Sequence, residues 1–278
     1  MGLHWSKILG LGFLLSAFTL PSAYAADFIA RHGLTSAQYQ SAFNQYVSQG
    51  YQLSQVDGYT TSQGMRYAAI WNRADGSRWV ARHDMNAGSY QSFFDQYTSE
   101  GYKPKDISAA GLGTNSGTFA AVWGPTSGNW VARHGLTSAQ YQAAFDQFTG
   151  QNYRLTDVEG YAGPGGEVLY AAIWSQHEGP AWFTSHEMKS WQYQAAFDQA
   201  VADGFTLTHV DGYWTPEGVR YAAIWEKVNV GNWVARHGMS SSEYQQEFNQ
   251  HIAQGMELVH VSGFWNGSHE EYAAIWRK

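Results

Sequence analysis

The sequence predicts an α+β fold made of five tandem repeats, each a strand followed by a helix and two further strands. A histidine recurs at steps of 51 or 52 residues, as His32, His83, His134, His186 and His237. Apolar and aromatic residues recur in phase with it. In each repeat, one segment has apolar residues at helical spacing, and the other segments have the alternation of apolar and polar residues that is typical of strands. The predicted repeats span approximately 27–77, 78–128, 129–180, 181–231 and 232–278.

The third repeat shows the elements in order. Its first strand is predicted at Trp130–His134, where side chains alternate between two faces. Thr137 and Gln140 have the spacing of a capping box, which satisfies free backbone N–H groups at a helix start. Tyr141, Phe145 and Phe148 follow at spacings of four and three, so they share one face of the predicted helix.

The helix is predicted to end at a residue that tolerates a left-handed backbone. Gly or Asn stands eighteen residues after the histidine in every repeat, as Gly50, Gly101, Asn152, Gly204 and Gly255. Two further strands follow, joined by a Gly-rich loop of varying length. The last strand is YAAIW in four repeats and FAAVW in the second.

Composition and charge limit the partners and the chemistry. The chain of 278 residues carries a net charge of −7 and has no cysteine. Binding to nucleic acid needs a cationic surface, so we expect no nucleic-acid partner. Disulfides, zinc–thiolate sites and cysteine nucleophiles are excluded.

The first 25 residues have the pattern of a secretory signal peptide. An apolar run at 8–20 follows Lys7, and the small residues Ala23 and Ala25 precede a predicted cleavage site after Ala25. We expect a secreted or periplasmic protein. The remaining chain, 26–278, is predicted to form one array of repeats. It lacks another apolar run of ~20 residues, so we expect it not to insert into the membrane.

The terminal repeats keep nearly all the apolar positions of the middle ones. Only Phe28 replaces the tryptophan that opens a repeat, and Met256 replaces an aromatic residue in the fifth. Open solenoids need polar terminal repeats, so the pattern favours a closed, propeller-like ring with five-fold pseudo-symmetry. An open solenoid remains the alternative.

The repeat resembles the family called bacterial tandem repeat domain 1. The resemblance rests on W-V-A-R-H-G-L-T-S-x-x-Y-Q-x-x-F, G-Y and Y-A-A-I-W, and it covers all five repeats. In that family such repeats also precede a β-lactamase-like serine peptidase domain in fungal polyglycine hydrolases. The resemblance implies a module that recognises a substrate or partner. No lysine here has a serine three positions earlier, so the Ser-x-x-Lys nucleophile and its catalytic role are not carried over.

The recurring Arg-His pair is the first candidate site. It occurs as Arg31-His32, Arg82-His83, Arg133-His134 and Arg236-His237, while His186 follows a serine. In the structural interpretation, the histidine packs near a helix start and the arginine pairs with Asp57, Glu159 or Asp211. In the functional one, the pairs converge on one rim of the ring and bind an anion or carboxylate.

A second candidate site comes from the aromatic residues. Eight positions per repeat account for 36 of the 45 aromatic residues, which indicates that most of them build the core. Trp191, Trp214 and Trp265 fit none of these positions. Trp214 and Trp265 are predicted in the loops between second and third strands, beside Tyr213 and Phe264, where they would bind a ligand or cap the core edge.

The leading prediction is an exported, non-catalytic repeat module that binds a peptide, glycan or cell-envelope partner. No cofactor and no metal site is predicted, because the sequence lacks H-E-x-x-H, G-x-S-x-G and calcium-loop motifs. One alternative is a secreted hydrolase or peptidase-like enzyme with an Arg-His-lined site. A structural assembly module is the other, and the oligomeric state is left open.

Overall fold

The computed structural model describes residues 27–111 and 117–278. The predicted signal peptide at 1–25 lies outside the described residues. Each of the five units consists of a strand, a helix and two strands, so the predicted order of elements is confirmed.

The bounds of the elements repeat closely from unit to unit. The first strands are β1 (Phe28–Leu34), β4 (Val80–Met85), β7 (Trp130–Thr137), β10 (Trp182–Met188) and β13 (Trp233–Ser240). The helices are α1 (Ser36–Ser48), α2 (Ala87–Ser99), α3 (Ser138–Thr149), α4 (Ser190–Ala202) and α5 (Ser241–Ala253). The second strands, here called junction strands, are β2 (Tyr51–Thr61), β5 (Tyr102–Ala110), β8 (Tyr153–Ala162), β11 (Thr206–Thr215) and β14 (Glu257–Trp265). The last strands are β3 (Gly64–Arg73), β6 (Thr118–Pro125), β9 (Val168–Gln176), β12 (Gly218–Glu226) and β15 (Glu270–Arg277).

Each unit forms its own three-stranded antiparallel sheet with the last strand in the middle. In the first unit the order is β1-β3-β2, and the other four units repeat it. The tryptophan of each central strand is fully buried: Trp71, Trp123, Trp174, Trp225 and Trp276. The aromatic positions therefore build the cores, as the sequence predicts.

The helix ends follow the predicted signals. Thr35, Thr137 and Ser240 cap their helices in capping boxes with Gln38, Gln140 and Glu243. The residue predicted to end each helix has a positive φ, between 63° at Asn152 and 84° at Gly50 and Gly101. These positions favour glycine and asparagine, whose side chains permit this backbone.

The units contact one another through their junction strands. β2 contacts β5, β5 contacts β8, β8 contacts β11 and β11 contacts β14. β14 of the fifth unit also contacts β2 of the first. The mixed α+β repeat architecture is thereby established, and every junction strand has two junction strands beside it.

None of the helices in the described part of the chain is long and apolar enough to cross a membrane.

Candidate functional site

A bulge precedes one polar residue in each junction strand. The pairing with the central strand shifts register between Leu53 and Gln55 in the first unit, and the other four units shift at the same place. Bulges re-aim the side chains that follow them. We call the residues after the bulges the first polar layer: Gln55, Asp106, Asp157, His209 and His260.

Side chains of the first polar layer bind the backbone of the preceding unit. Asp106 Oδ2 accepts a hydrogen bond from the N–H of Val56 at 2.8 Å, and His209 Nε2 donates to the carbonyl of Val158 at 2.9 Å. Asp157 and His260 make the equivalent bonds to Ile107 and Val210. Aspartate accepts from N–H and histidine donates to C=O, so different residues serve one junction geometry.

The second polar layer lies two residues further along each junction strand: Asp57, Ser108, Glu159, Asp211 and Ser262. Four of them, Asp57, Ser108, Asp211 and Ser262, also accept hydrogen bonds from backbone N–H groups of a neighbouring unit. Gly160 N–H donates to Asp211 Oδ2 at 2.7 Å, and Gly263 N–H donates to Asp57 Oδ2 at 2.5 Å.

Burial dominates the electrostatics of both layers. It raises the pKa of Asp211 to about 7, and the pKa of both Asp57 and Glu159 well above the usual range. Burial also lowers the pKa of His209 to about 4. The cause is the cost of a charge away from water, which favours the neutral form of each group.

A pocket opens beside the second polar layer and is lined by all five units. Its cavity volume is ≈ 30 Å³, which is room for about one or two water-sized groups. Asp57, Glu159 and Asp211 contribute carboxyl groups to its lining, and Tyr59, Tyr161, Tyr213, Trp214, Phe264 and Trp265 contribute aromatic rings. We call it the shared pocket.

Close packing holds the aromatic rings of the shared pocket in place. A Cβ at Gly212 would lie 2.4 Å from the ring of Phe264, and one at Gly160 would lie 2.6 Å from that of Tyr213. The rings thus lie directly over the backbone of the preceding unit. Tyr213 is further held by a 2.8 Å hydrogen bond between its hydroxyl and that of Tyr170.

The structure brings the predicted ligand residues Tyr213, Trp214, Phe264 and Trp265 together at the shared pocket. Their expected position in loops is wrong. Trp214 and Trp265 lie in strands β11 and β14, because pairing with the central strand continues to Val219 and Glu270. Both tryptophans are half-buried.

Trp191 is a different case. It lies near the start of α4, and 69% of its surface is exposed.

The histidines of the Arg-His pairs lie at separate junctions and do not line the shared pocket. Each is half-buried between two aromatic rings of a neighbouring unit. His32 lies 4.6 Å from Tyr244 and 5.1 Å from Tyr272, measured between ring centroids. The other four pack in the same way: His83, His134, His186 and His237.

Three of these histidines, His32, His134 and His237, also reach a helix of a neighbouring unit. His32 Nε2 lies 3.1 Å from Ser241 Oγ, at the first residue of α5. Burial lowers the pKa of His32, His83, His134, His186 and His237. A neutral ring wedged between aromatic rings suits a packing role.

The expected pairing of the arginines with Asp57, Glu159 or Asp211 is wrong. Arg31 and Arg133 donate to the carbonyl of the residue just before them, and Arg82 and Arg236 do the same. Arg31 also lies over the ring of Tyr46 at 5.3 Å. The carboxyl groups are out of reach because they lie on junction strands, whereas the arginines lie on the opposite edge strand of each sheet.

Sequence reasoning missed one cluster, formed by Asp157, Glu159 and His209. Asp157 and His209 stand in different units, so no local motif joins them. The repeat alignment contains the signal, since both residues occupy the same position of adjacent units. What the alignment lacks is the identity of the strand that faces the neighbouring unit.

The family comparison agrees with this architecture. Five stretches match the family model described as a polyglycine hydrolase-like structural repeat, at 25–74, 76–126, 127–177, 179–228 and 230–278. The matches cover nearly all of the chain and follow the five units. The chain belongs to the family of polyglycine hydrolase-like structural repeats.

Proposed function

We propose that this chain is an exported, non-catalytic binding module whose five units close into a ring. The ring is supported by the bonds between the ends of the chain. Gln55 in the first unit bonds the backbone of Val261 in the fifth, and Asp57 bonds that of Gly263. These contacts match the ones that join consecutive units.

The shared pocket is the observation that carries the binding function. The cavity admits only a water-sized group. It therefore suits the polar tip of a side chain or of a sugar on a larger partner, which is a peptide, a glycan or a component of the cell envelope. The aromatic faces attract a cation through cation–π interaction. The buried carboxyl groups are neutral while the pocket is empty, and they pair with an entering cation by releasing their protons. We therefore propose that the partner inserts an amino group.

The test compares tryptophan variants on peptide and glycan arrays. We expect Trp214→Ala with Trp265→Ala to abolish binding to probes with a free amine, such as lysine peptides and glucosamine oligomers. Trp191→Ala is the matched control, since Trp191 is exposed and lies outside the shared pocket. Acetylated forms of the same probes should bind weakly to the wild type, to the double variant and to Trp191→Ala. Unchanged binding by the double variant would refute the site.

The rival hydrolase needs arginines and histidines gathered around one centre. In the described residues these pairs lie at separate junctions, which does not favour that reading. Peptidase and esterase assays on the purified protein, with His134→Ala as the variant, test it directly. Light scattering tests the alternative of a structural assembly module, which a stable oligomer would support.

Export is tested on the full chain in a Gram-negative host. We expect the protein in the periplasm or the medium, with an N-terminus at Ala26. A protein retained in the cytoplasm at full length would refute this part of the proposal.

A further inference from the structure

We propose that Asp157, Glu159 and His209 bind a divalent transition-metal ion between the third and fourth units. One ligand atom from each residue lies within 4.8 Å of the other two. His209 Nε2 is 3.7 Å from Asp157 Oδ1 and 3.8 Å from Glu159 Oε1. Ligand atoms around an ion with bonds of ~2.0–2.2 Å are only slightly closer together, so small side-chain shifts complete the site.

An unsatisfied oxygen points to a ligand independently of this spacing. Asp157 is 3% exposed, and its Oδ1 has no hydrogen-bond partner among the described residues. The other oxygen, Oδ2, accepts from the N–H of Ile107, which fixes the carboxyl group in place. Buried polar atoms are ordinarily paired, so the unpaired one that faces Glu159 and His209 has a reason to be there.

The charge balance favours a cation at the same place. Within 27–111 and 117–278, no lysine or arginine forms an ion pair with Asp157 or Glu159, and His209 is their one basic neighbour within 4 Å. Buried carboxylates need a counter-charge or a proton. An ion supplies the counter-charge and displaces protons, so its affinity should rise with pH.

The ligand set and the access route define the kind of ion. One imidazole nitrogen and two carboxylate oxygens suit Zn²⁺, Mn²⁺ or Co²⁺ better than Ca²⁺, which prefers a shell of oxygens. Glu159 also lines the shared pocket, which provides a path from solvent. On binding, His209 exchanges its hydrogen bond to the Val158 carbonyl for the ion.

The repeat itself supplies variants that should fold. Glutamine occupies the position of His209 in the first unit, as Gln55, and serine occupies that of Glu159 in two units, as Ser108 and Ser262. His209→Gln and Glu159→Ser therefore remove one ligand while leaving a residue that the position accepts. His260→Gln and Asp57→Ser are matched controls in the same two layers, outside the cluster.

The experiment uses tag-free protein, stripped with EDTA and titrated with Zn²⁺ by calorimetry and with Co²⁺ by absorption spectroscopy. We expect one ion per chain, Co²⁺ d–d bands typical of nitrogen and oxygen ligands, and a higher Tm with Zn²⁺. Both ligand variants should weaken binding by more than about tenfold, and both controls should bind like the wild type.

Two results would overturn the proposal. One is the absence of stoichiometric binding by a folded wild-type protein. The other is unchanged binding in His209→Gln, which would place the ion on exposed histidines such as His177 or His269. Neither result bears on the tryptophan test of the shared pocket, because that test can be run with EDTA present.

Discussion

Gln55 and Val261 are joined by two hydrogen bonds, although 206 residues separate them. The N–H of Val261 donates to Gln55 Oε1 at 3.0 Å, and Gln55 Nε2 donates to the carbonyl of Val261 at 3.2 Å. One side chain of the first unit thus satisfies both backbone groups of a buried residue in the last.

Replacing Gln55 should therefore weaken the whole protein. Gln55→Ala leaves a buried N–H and a buried C=O without partners, and we expect the free energy of unfolding to fall by about 1–3 kcal/mol. Urea denaturation measures the change. Gln40→Ala, on the exposed face of α1, is the control. Equal effects of the two substitutions would argue against a ring closed at this junction.

The packing of the recurring histidines between aromatic rings gives a second prediction. His134 packs edge-on against Tyr90 and Phe119 of the preceding unit, and its Nε2 lies 3.0 Å from Gln91 Oε1. We expect His134→Ala to cost about 1–2 kcal/mol of stability through lost aromatic contacts and a cavity between units. Thermal unfolding of this variant is compared with that of His177→Ala, whose histidine is exposed. A stable His134→Ala protein with loss of a binding or hydrolytic activity would instead favour a functional role.

The contact between Gly212 and Phe264 can be tested by a double-mutant cycle. Gly212→Ala places a Cβ 2.4 Å from the ring, so the ring or the strand must move at a cost of about 1–3 kcal/mol. In a Phe264→Leu background the smaller side chain leaves space, and the same substitution should cost less. Equal costs in both backgrounds would show that the glycine is needed for another reason.

The buried carboxyl groups predict a dependence of stability on pH. The pKa of Asp211 is about 7 in the folded protein, above its value in the unfolded chain. The folded state then holds the proton more tightly, so stability is full at acidic pH and is lost as pH rises through 7. Without metal, we expect wild type to lose roughly 1–3 kcal/mol more than Asp211→Asn between pH 5 and pH 8.

Denaturant unfolding in EDTA at several pH values makes this measurement. Asp146→Asn serves as the control, because Asp146 lies on the exposed face of α3. The half-buried histidines titrate in the opposite sense, and comparing variants of one protein cancels their effect. We expect Asp146→Asn to lose stability with rising pH as the wild type does. If Asp211→Asn loses as much, Asp211 is not the titrating group.

Local signals in the sequence predicted the units well. Capping pairs such as Thr137 and Gln140, the residues of positive φ, and the spacing of Tyr141 and Phe145 each depend on a few neighbouring residues. A single repeat contains all of that information. The candidate ligand residues Trp214 and Trp265 stand out for a similar reason, since they break an otherwise regular pattern.

The arrangement of strands within a unit could not be read in the same way. Chain order does not reveal that the last strand is central and the second strand faces the neighbouring unit. Asp57 therefore looked like a partner for an arginine, whereas it bonds Gly263 across a junction. The cluster of Asp157, Glu159 and His209 stayed hidden for the same reason.

The two polar layers have a consequence for assembly fidelity. Five near-identical units could pair out of order, or with a unit of a second chain, because their aromatic cores are interchangeable. The polar residues are not: Gln55 meets His260, whereas Asp157 meets His209. These junctions thus differ in their polar residues. We therefore expect a nascent chain to fold upon itself in sequence order more readily than it exchanges units with a second chain.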